Sequence, residues 1–298
     1  MAKDNPTWVD QTLELMRPVL PARLRGDIPI VPVVRLSGVI GIVTPLRPGV
    51  TLSGIARTLD RAFKVRHARA VALLINSPGG SPVQSHLIFR RIRELAKEHE
   101  LPVIAFIEDV GASGGYMIAC AADEIICDAS SMVGSIGVVG GTFGFDKLIE
   151  KIGVERRLYT SGERKVLLDP FLPENPDDVK RLKALQKDIH ESFIALVQER
   201  RGPKLQGPEK TLFSGECWTG MRAREFGLVD SLGELRATLR ERFGEKVLTP
   251  LVNAERSSIV RRLIGAQSAE GNLLARPGLA DEVISALEAR ALWARYGL

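Results

Sequence analysis

The chain has 298 residues, of which 45% are hydrophobic and 26% are charged. This balance is that of a globular protein with a large core, and it excludes a chain that is disordered throughout. The formal net charge is +5, but Lys and Arg are scattered, without a long basic block or interleaved aromatic residues. We therefore expect no nucleic-acid partner.

Cysteine usage indicates a protein of a reducing compartment, and hydropathy predicts no membrane-spanning segment. The three cysteines, Cys120, Cys127 and Cys217, form no C-x-x-C pair, so we expect no disulfide framework, no metal site and no cofactor. The first residues contain no apolar signal segment, and we find no run of about 18 apolar residues. The expected location is the cytoplasm, without a transmembrane helix.

Residues 1–30 are expected to form an N-terminal helical extension. Within 7–25, several apolar residues could share one helix face, and arginines follow them. Such a helix is typical of peripheral contact with a membrane, here the inner membrane. The alternative is a helix that docks on its own protein or on a partner subunit. The sequence leaves both readings open.

Strand-like and helix-like segments alternate over residues 31–245, the expected main domain. Continuous apolar runs are typical of buried parallel strands. They occur at 71–75 and 103–107, while the β-branched segment at 31–40 and the short segment at 124–127 also read as strands. Predicted helices lie between them, at 52–63, after Ser81 and after Gly115. This alternation predicts an α/β fold with a parallel sheet.

The helix after Ser81 has the clearest start signals. Ser81 can cap it, Pro82 takes the first helical position, and Gln84 completes a capping-box spacing. The predicted apolar stripe of this helix consists of Val83, Leu87, Ile88, Ile92 and Leu95.

Further elements are predicted in the second half of the chain. They are a helix near 142–151, a strand near 154–159, a long helix over Pro176–Arg200 and two shorter helices within 218–240. Residues 246–298 are expected to be a C-terminal extension that ends in a helix at 281–296.

Three Gly-rich segments each follow a strand-like run, at 76–81, 111–116 and 133–138. Glycine lets the backbone adopt positive φ and approach a ligand closely. One such segment is usually a tight turn. Three at strand ends favour a site lined by main-chain N–H groups.

Ser113 lies in the second of these segments, which fits the pattern G-x-S-x-G. A serine needs a base to become a nucleophile. In α/β-hydrolases the histidine follows the serine, and His190 is the one histidine that does so. We interpret His190 as a solvated residue inside the long helix. Lys165, which precedes three apolar residues, is the other candidate base if burial keeps its amine neutral. By composition alone, Lys165 reads as a surface lysine.

The order of these motifs resembles the signal peptide peptidase A and SohB family. The matching segments are NSPGG, ASGGY, VGSIGV, SGERK followed by DPF, and WTGMRAREFGLVDSLG, which together cover roughly residues 33–240. The resemblance implies the ClpP/crotonase-like spiral of β-β-α units, with added helices. It also implies a bacterial serine endopeptidase that acts on apolar peptides, such as signal peptides or membrane-protein fragments.

The resemblance assigns roles residue by residue. Ser113 matches the nucleophile, Lys165 the general base and Ser135 a serine that orients the lysine. The N–H groups of Gly80 and Gly114 match the oxyanion hole. The resemblance further implies a homo-oligomeric ring or dome, for example an octamer, in which short members borrow the lysine from a neighbouring subunit.

Two alternatives remain open from the sequence. One is a crotonase-type enzyme for acyl-CoA thioesters, which would share the fold and a comparable oxyanion hole. The other is a non-catalytic, ring-forming scaffold at the membrane, for which the N-terminal helix and the C-terminal extension would be the functional parts.

Overall fold

The computed structural model describes residues 28–41, 49–162, 164–252, 287 and 290–297. Within these residues, one sheet has strands β1 Val33–Ser37, β2 Val71–Ser77, β3 Val103–Ala112, β4 Glu124–Cys127, β5 Met132–Gly134, β6 Cys217–Thr219 and β7 Ser231–Leu232. The helices are α1 Leu52–Phe63, α2 Pro82–His99, α3 Gly114–Ala119, α4 Asp146–Lys151, α5 Pro176–Arg201, α6 Glu209–Leu212, α7 Gly220–Glu225 and α8 Leu235–Phe243. A short 3-10 helix, Gly202–Lys204, follows α5.

The sheet is parallel along its main path, in the order β1-β2-β3-β4-β7. Strand β5 pairs with β3 in parallel, and β6 pairs with β5 in the antiparallel sense. Helices connect successive parallel strands, as such crossovers require. The predicted α/β fold with a parallel sheet is therefore confirmed.

Both faces of the central strands are covered, which explains why β2 and the first half of β3 read as continuous apolar runs. The larger core cluster joins alternate residues of β1–β4 to α1, α2, α3 and α5. The smaller one lies on the opposite face, where Leu239 of α8 packs with Ala72, Ile104 and Ile126.

Helix α2 begins as its sequence predicts, with one difference. The Ser81 hydroxyl accepts from the N–H of Gln84, and Pro82 is the first helical residue. The reciprocal half of a capping box is absent: the Gln84 side chain instead accepts from the N–H of Leu52, at the start of α1. Gln84 thus links the first turns of two neighbouring helices.

The predicted apolar stripe of α2 is wrong at two positions. Val83 and Leu87 are 66% and 38% exposed, whereas Ile88, Ile92 and Leu95 are buried. At 100° per residue, the mean direction of the first two side chains lies about 130° around the helix from that of the buried three.

Other boundaries also differ from expectation. The predicted strand near 154–159 has no neighbouring strand among the described residues, and it is not a strand. The helix expected near 142–151 begins only at Asp146. The predicted N-terminal helix lies outside the described residues. So does most of the helix expected at 281–296, of which 290–294 is helical.

Within the described ranges, every helix is too short or too polar to span a bilayer.

Candidate active site

The register of β3 and β5 brings two of the predicted site residues together. Ala112 at the end of β3 pairs with Gly134 at the end of β5. Ser113 and Ser135 directly follow these two residues, so both leave the sheet at the same edge. Ser77, at the end of β2, pairs with Gly111, which brings the glycines after β2 to that edge as well.

Ser113 has a strained backbone, with φ of 51° and ψ of −120°. A non-glycine residue at positive φ is held there only when its surroundings fix it. One anchor is α3, which begins at the next residue and is buried along its whole length. Its Tyr116 hydroxyl donates a 2.7 Å hydrogen bond to the carbonyl of Leu228. The Ser113 hydroxyl makes no capping bond to α3, so it stays available for chemistry.

The glycines after β2 approach Ser113 closely. A Cβ added at Gly79 would lie 2.8 Å from the Cβ of Ser113, and one added at Gly80 would collide with the carbonyl oxygen of Ile40. Gly80 has φ of 143°, a conformation that L side chains rarely adopt. Among the described residues, the Gly80 N–H donates a hydrogen bond to no acceptor. The N–H of Gly114, in the first turn of α3, has no intrahelical acceptor either.

Gly80, Ser113 and Ser135 together line one cavity of about 580 Å³. Gly137, Val138 and Val139 and the pair Ser214–Gly215 form more of its wall. The cavity therefore combines a half-buried hydroxyl and N–H donors with apolar surface, which is what attack on a carbonyl requires.

A second cavity, of about 690 Å³, lies near the ends of β3 and β4. Several of its lining residues are acidic, but Glu108 pairs with Arg35, and Asp109 accepts from the Asn76 amide. Ser113 does not line it, so we place the candidate site in the smaller cavity.

His190 is not the solvated helix residue that we expected. It lines the Ser113 cavity, and its ring Nε2 lies 3.0 Å from the carbonyl oxygen of Ile136, the residue after Ser135. Since the partner is a carbonyl, the ring N–H donates. No local sequence pattern indicates this contact, because α5 and the segment after Ser135 are distant in the chain.

The last described residues also reach this cavity. Leu292, Arg295 and Tyr296 line it, and the Tyr296 side chain lies close to Ser135 and Cys217. Burial raises the pKa of Tyr296, and the nearby Cys217 raises it further. The phenol is therefore protonated at neutral pH. It lies beside Ser135, in the space that a lysine amine oriented by Ser135 would need.

Lys165 lies elsewhere. It is exposed, in a turn where its N–H donates to the carbonyl of Gly162, and it does not line the Ser113 cavity in the described part of the chain. The apolar residues that follow Lys165 do not bury this part of the single chain, because Leu167 is 41% exposed.

The segment that carries Lys165 is also unusually apolar on its surface. Between 139 and 171, large hydrophobic side chains are exposed at Val139, Phe143, Phe145, Leu148, Ile152, Val154, Leu158, Tyr159, Leu167 and Phe171. We call residues 139–171 the lysine-bearing segment. An apolar surface of this extent marks an interaction site.

The thiols are poor alternative nucleophiles. Burial raises the pKa of Cys120 and of Cys127 to about 12. Burial also raises the pKa of Cys217, although the nearby hydroxyls of Tyr296 and Ser135 partly oppose this. The reactive form of cysteine is the thiolate, so all three groups are suppressed at neutral pH.

The structure thus brings together Ser113, Ser135, Gly80 and Gly114 at one edge of the sheet, and adds His190 and Tyr296 to them. It does not bring Lys165 to the same cavity within the described chain.

Known proteins resemble this chain over much of its length. The profile of Peptidase family S49 matches residues 95–247, just over half of the chain. Over 181 residues, the chain is 33% identical to "Serine protease SPPA, chloroplastic" of Arabidopsis thaliana, covering 59% of this chain and 26% of that protein. Over 190 residues, it is 32% identical to "Protease 4" of Haemophilus influenzae, covering 63% and 30%.

A longer match carries a different name. Over 290 residues, the chain is 51% identical to a Brucella abortus protein named "Na(+)/H(+) antiporter NhaA", covering 95% of this chain and 39% of that protein. The chain thus spans well under half of the length of that relative. The relative's name belongs to the whole of that longer protein. The profile match and the protease relatives confirm the resemblance read from the sequence: the chain belongs to peptidase family S49.

Proposed function

We propose that the chain is a serine endopeptidase in which Ser113 is the nucleophile and the Lys165 amine is the general base. The observation that carries the proposal is the shared cavity of Ser113, Ser135 and Gly80, at the edge where β2, β3 and β5 end. Membership of family S49 supports a peptidase. The ClpP/crotonase-like spiral and a main domain over residues 31–245 are part of the same proposal.

In the proposed reaction, a neutral Lys165 amine takes the proton of the Ser113 hydroxyl as its oxygen attacks a peptide carbonyl. The N–H groups of Gly80 and Gly114 bind the oxyanion, and one such donor contributes about 2.7–4 kcal/mol to transition-state stabilisation. The protonated amine then gives its proton to the leaving amine. Water hydrolyses the acyl-enzyme with the lysine again as base. Ser135 orients the amine by a hydrogen bond.

We propose that Lys165 serves the Ser113 of a neighbouring copy in a homo-oligomeric ring or dome. Two observations support this. Lys165 does not line the cavity of its own chain within the described residues, and the lysine-bearing segment exposes side chains such as Phe143 and Tyr159, which are 76% and 89% exposed. A second copy would cover this surface and desolvate the amine, and desolvation lowers the pKa of a lysine.

The proposed substrate is an extended apolar peptide, such as a signal peptide or a membrane-protein fragment. Val138 and Val139 give the cavity wall apolar surface, and Val139 is 69% exposed, which makes it available to a ligand. We propose a cytoplasmic site of action, with peripheral contact at the inner membrane through residues 7–25. We propose that the C-terminal extension, residues 246–298, acts on the site through Leu292, Arg295 and Tyr296, which line the cavity.

Labelling with a fluorophosphonate tests the proposal most simply. We expect covalent modification at Ser113 in the wild-type protein and none in Ser113→Ala, which should also lose cleavage of internally quenched apolar peptides. Ser130→Ala is a matched control, since Ser130 is an exposed serine that does not line the cavity. Peptide cleavage by Ser113→Ala at the wild-type rate would contradict the proposal. Acyl-CoA turnover without labelling would favour a crotonase-type enzyme.

A further inference from the structure

Ser135 occupies a strained turn that needs external support. Its φ is 53°, in the left-handed region that a residue with a side chain rarely adopts. The Ser135 N–H donates 2.8 Å to the carbonyl of Glu216, and the Gly137 N–H donates 2.9 Å back to the carbonyl of Ser135. These bonds fix both sides of the turn, but neither uses the carbonyl of Ile136, which lies between them.

Helix α5 supplies the third bond. The His190 ring N–H donates to the Ile136 carbonyl at 3.0 Å. The side chain of Ile136 is fully buried, so its main chain has little access to water, and an unpaired carbonyl there would be costly. Among the described residues, His190 is the donor that the structure provides for this carbonyl.

His190 is one of a row of α5 side chains that face the segment after Ser135. Leu182, Gln186 and His190 are spaced four residues apart and therefore share one helix face. The Gln186 amide and the Leu182 methyl lie beside Gly140, at 2.9 and 4.0 Å from the position of an added Cβ. Residues 136–140 thus run along α5, and His190 contacts them nearest to Ser135.

From these contacts we infer that His190 is a positioning residue for Ser135. Its ring N–H holds the Ile136 carbonyl and so fixes the direction of the Ser135 hydroxyl in the cavity. The same bond fixes where the lysine-bearing segment leaves the core. In this role His190 acts through the hydrogen bond from its Nε2–H to the Ile136 carbonyl, and it is distinct from a general base that would take the Ser113 proton on its other ring nitrogen. The inference rests on the proposed peptidase function.

Two variants separate positioning from proton transfer. His190→Gln keeps an N–H donor on a side chain of similar reach, whereas His190→Leu keeps the bulk but has no donor. We expect His190→Gln to retain kcat within about threefold and His190→Leu to lose about tenfold in kcat. KM for an apolar quenched peptide should change little in either variant. Glu191→Gln, an exposed neighbour on α5, is the control.

The pH profile gives the second readout. If His190 were the general base, both variants would be inactive, and the wild type would show an acid limb near the ordinary histidine pKa of about 6.5. That result would overturn the positioning role. So would a His190→Leu protein with wild-type kcat. Loss of activity in both variants together with a lowered melting temperature would mean a structural role only.

The outcome for Ser113→Ala keeps the two proposals apart. If Ser113→Ala retains full activity, the proposed function fails, whatever the His190 variants do. If Ser113→Ala is inactive and His190→Leu is fully active, the peptidase proposal stands and the positioning role alone fails.

Discussion

The main-chain N–H of Ser113 donates a 2.8 Å hydrogen bond to the carbonyl of Gly134, the residue before Ser135. The bond continues the parallel β3–β5 ladder by one residue beyond the end of β3. It ties the proposed nucleophile to the serine that is proposed to orient its base. A change that loosens β5 should therefore affect Ser113 as well.

Gly114→Ala should destabilise the protein by about 1–3 kcal/mol, the usual cost of overpacking. An added Cβ would collide with the Ser85 hydroxyl, and Ser85 is fully buried. Urea unfolding measures the loss. The double variant Gly114→Ala/Ser85→Ala should recover part of it, because the nearest remaining atoms lie 3.3 Å away. Equal stability of the single and double variants would show that this collision is not the cause.

Tyr296→Ala should raise kcat/KM for a quenched apolar peptide by a few fold. Tyr296 lines the cavity close to Ser135, so its side chain competes with an amine and with substrate for the same space. Tyr296→Phe, which removes only the hydroxyl, should have a smaller effect in the same direction. A loss of activity in both variants would instead mean that Tyr296 supports the site.

Arg201→Met should cost about 3 kcal/mol in the free energy of unfolding, because it leaves a partly buried carboxylate without its main partner. Arg201 is 2% exposed, and it bonds Asp230 at 2.7 Å and the carbonyl of Gly227. Arg90→Met, which removes an exposed pair with Glu94, should cost less than about 1 kcal/mol. Similar losses in the two variants would contradict this account.

Asp230 should also make the stability of the folded protein depend on pH in the acid range. Burial alone would raise its pKa, but hydrogen bonds from Arg201, Lys204 and the Ile125 N–H outweigh burial and lower it. A carboxyl with a depressed folded-state pKa stabilises the protein above its unfolded pKa of about 3.9. That contribution is lost as the pH falls through the folded-state pKa. Asp230→Asn should therefore flatten the decline in melting temperature below about pH 4.

The cysteines should react slowly with iodoacetamide in the folded protein. With a pKa of about 12, Cys120 and Cys127 are thiolate at roughly one part in ten thousand at pH 8. Cys217 is less buried than the other two and should react first. Mass spectrometry of native and guanidinium-unfolded samples gives the order. Rapid labelling of Cys120 in the native state would contradict its burial.

Local patterns predict much of this fold. The bounds of α1 and the start of α5 follow from capping residues and apolar periodicity, which act over a few residues. The strands are visible because both faces of the sheet are covered. Residues 154–159 have a strand-like composition, but no neighbouring strand in the described chain pairs with them.

The site is predictable only in part, for the same reason. The glycines and Ser113 stand at strand ends, so the sheet brings them together. His190 and Tyr296 reach the cavity from α5 and from the C-terminal extension, through contacts that no local pattern encodes. The surroundings of Lys165 depend in our proposal on a second copy of the chain, which a single sequence does not specify.

The most direct measurement of the Ser–Lys proposal uses mixed oligomers. Ser113→Ala and Lys165→Ala, carrying different tags, are co-expressed and purified through both tags, and peptide cleavage is compared with each variant alone. We predict that each variant alone is inactive and that the mixed particle regains a clear fraction of wild-type activity, since one copy supplies the serine and its neighbour the lysine. An inactive mixed particle, or an active Lys165→Ala protein by itself, would contradict the account.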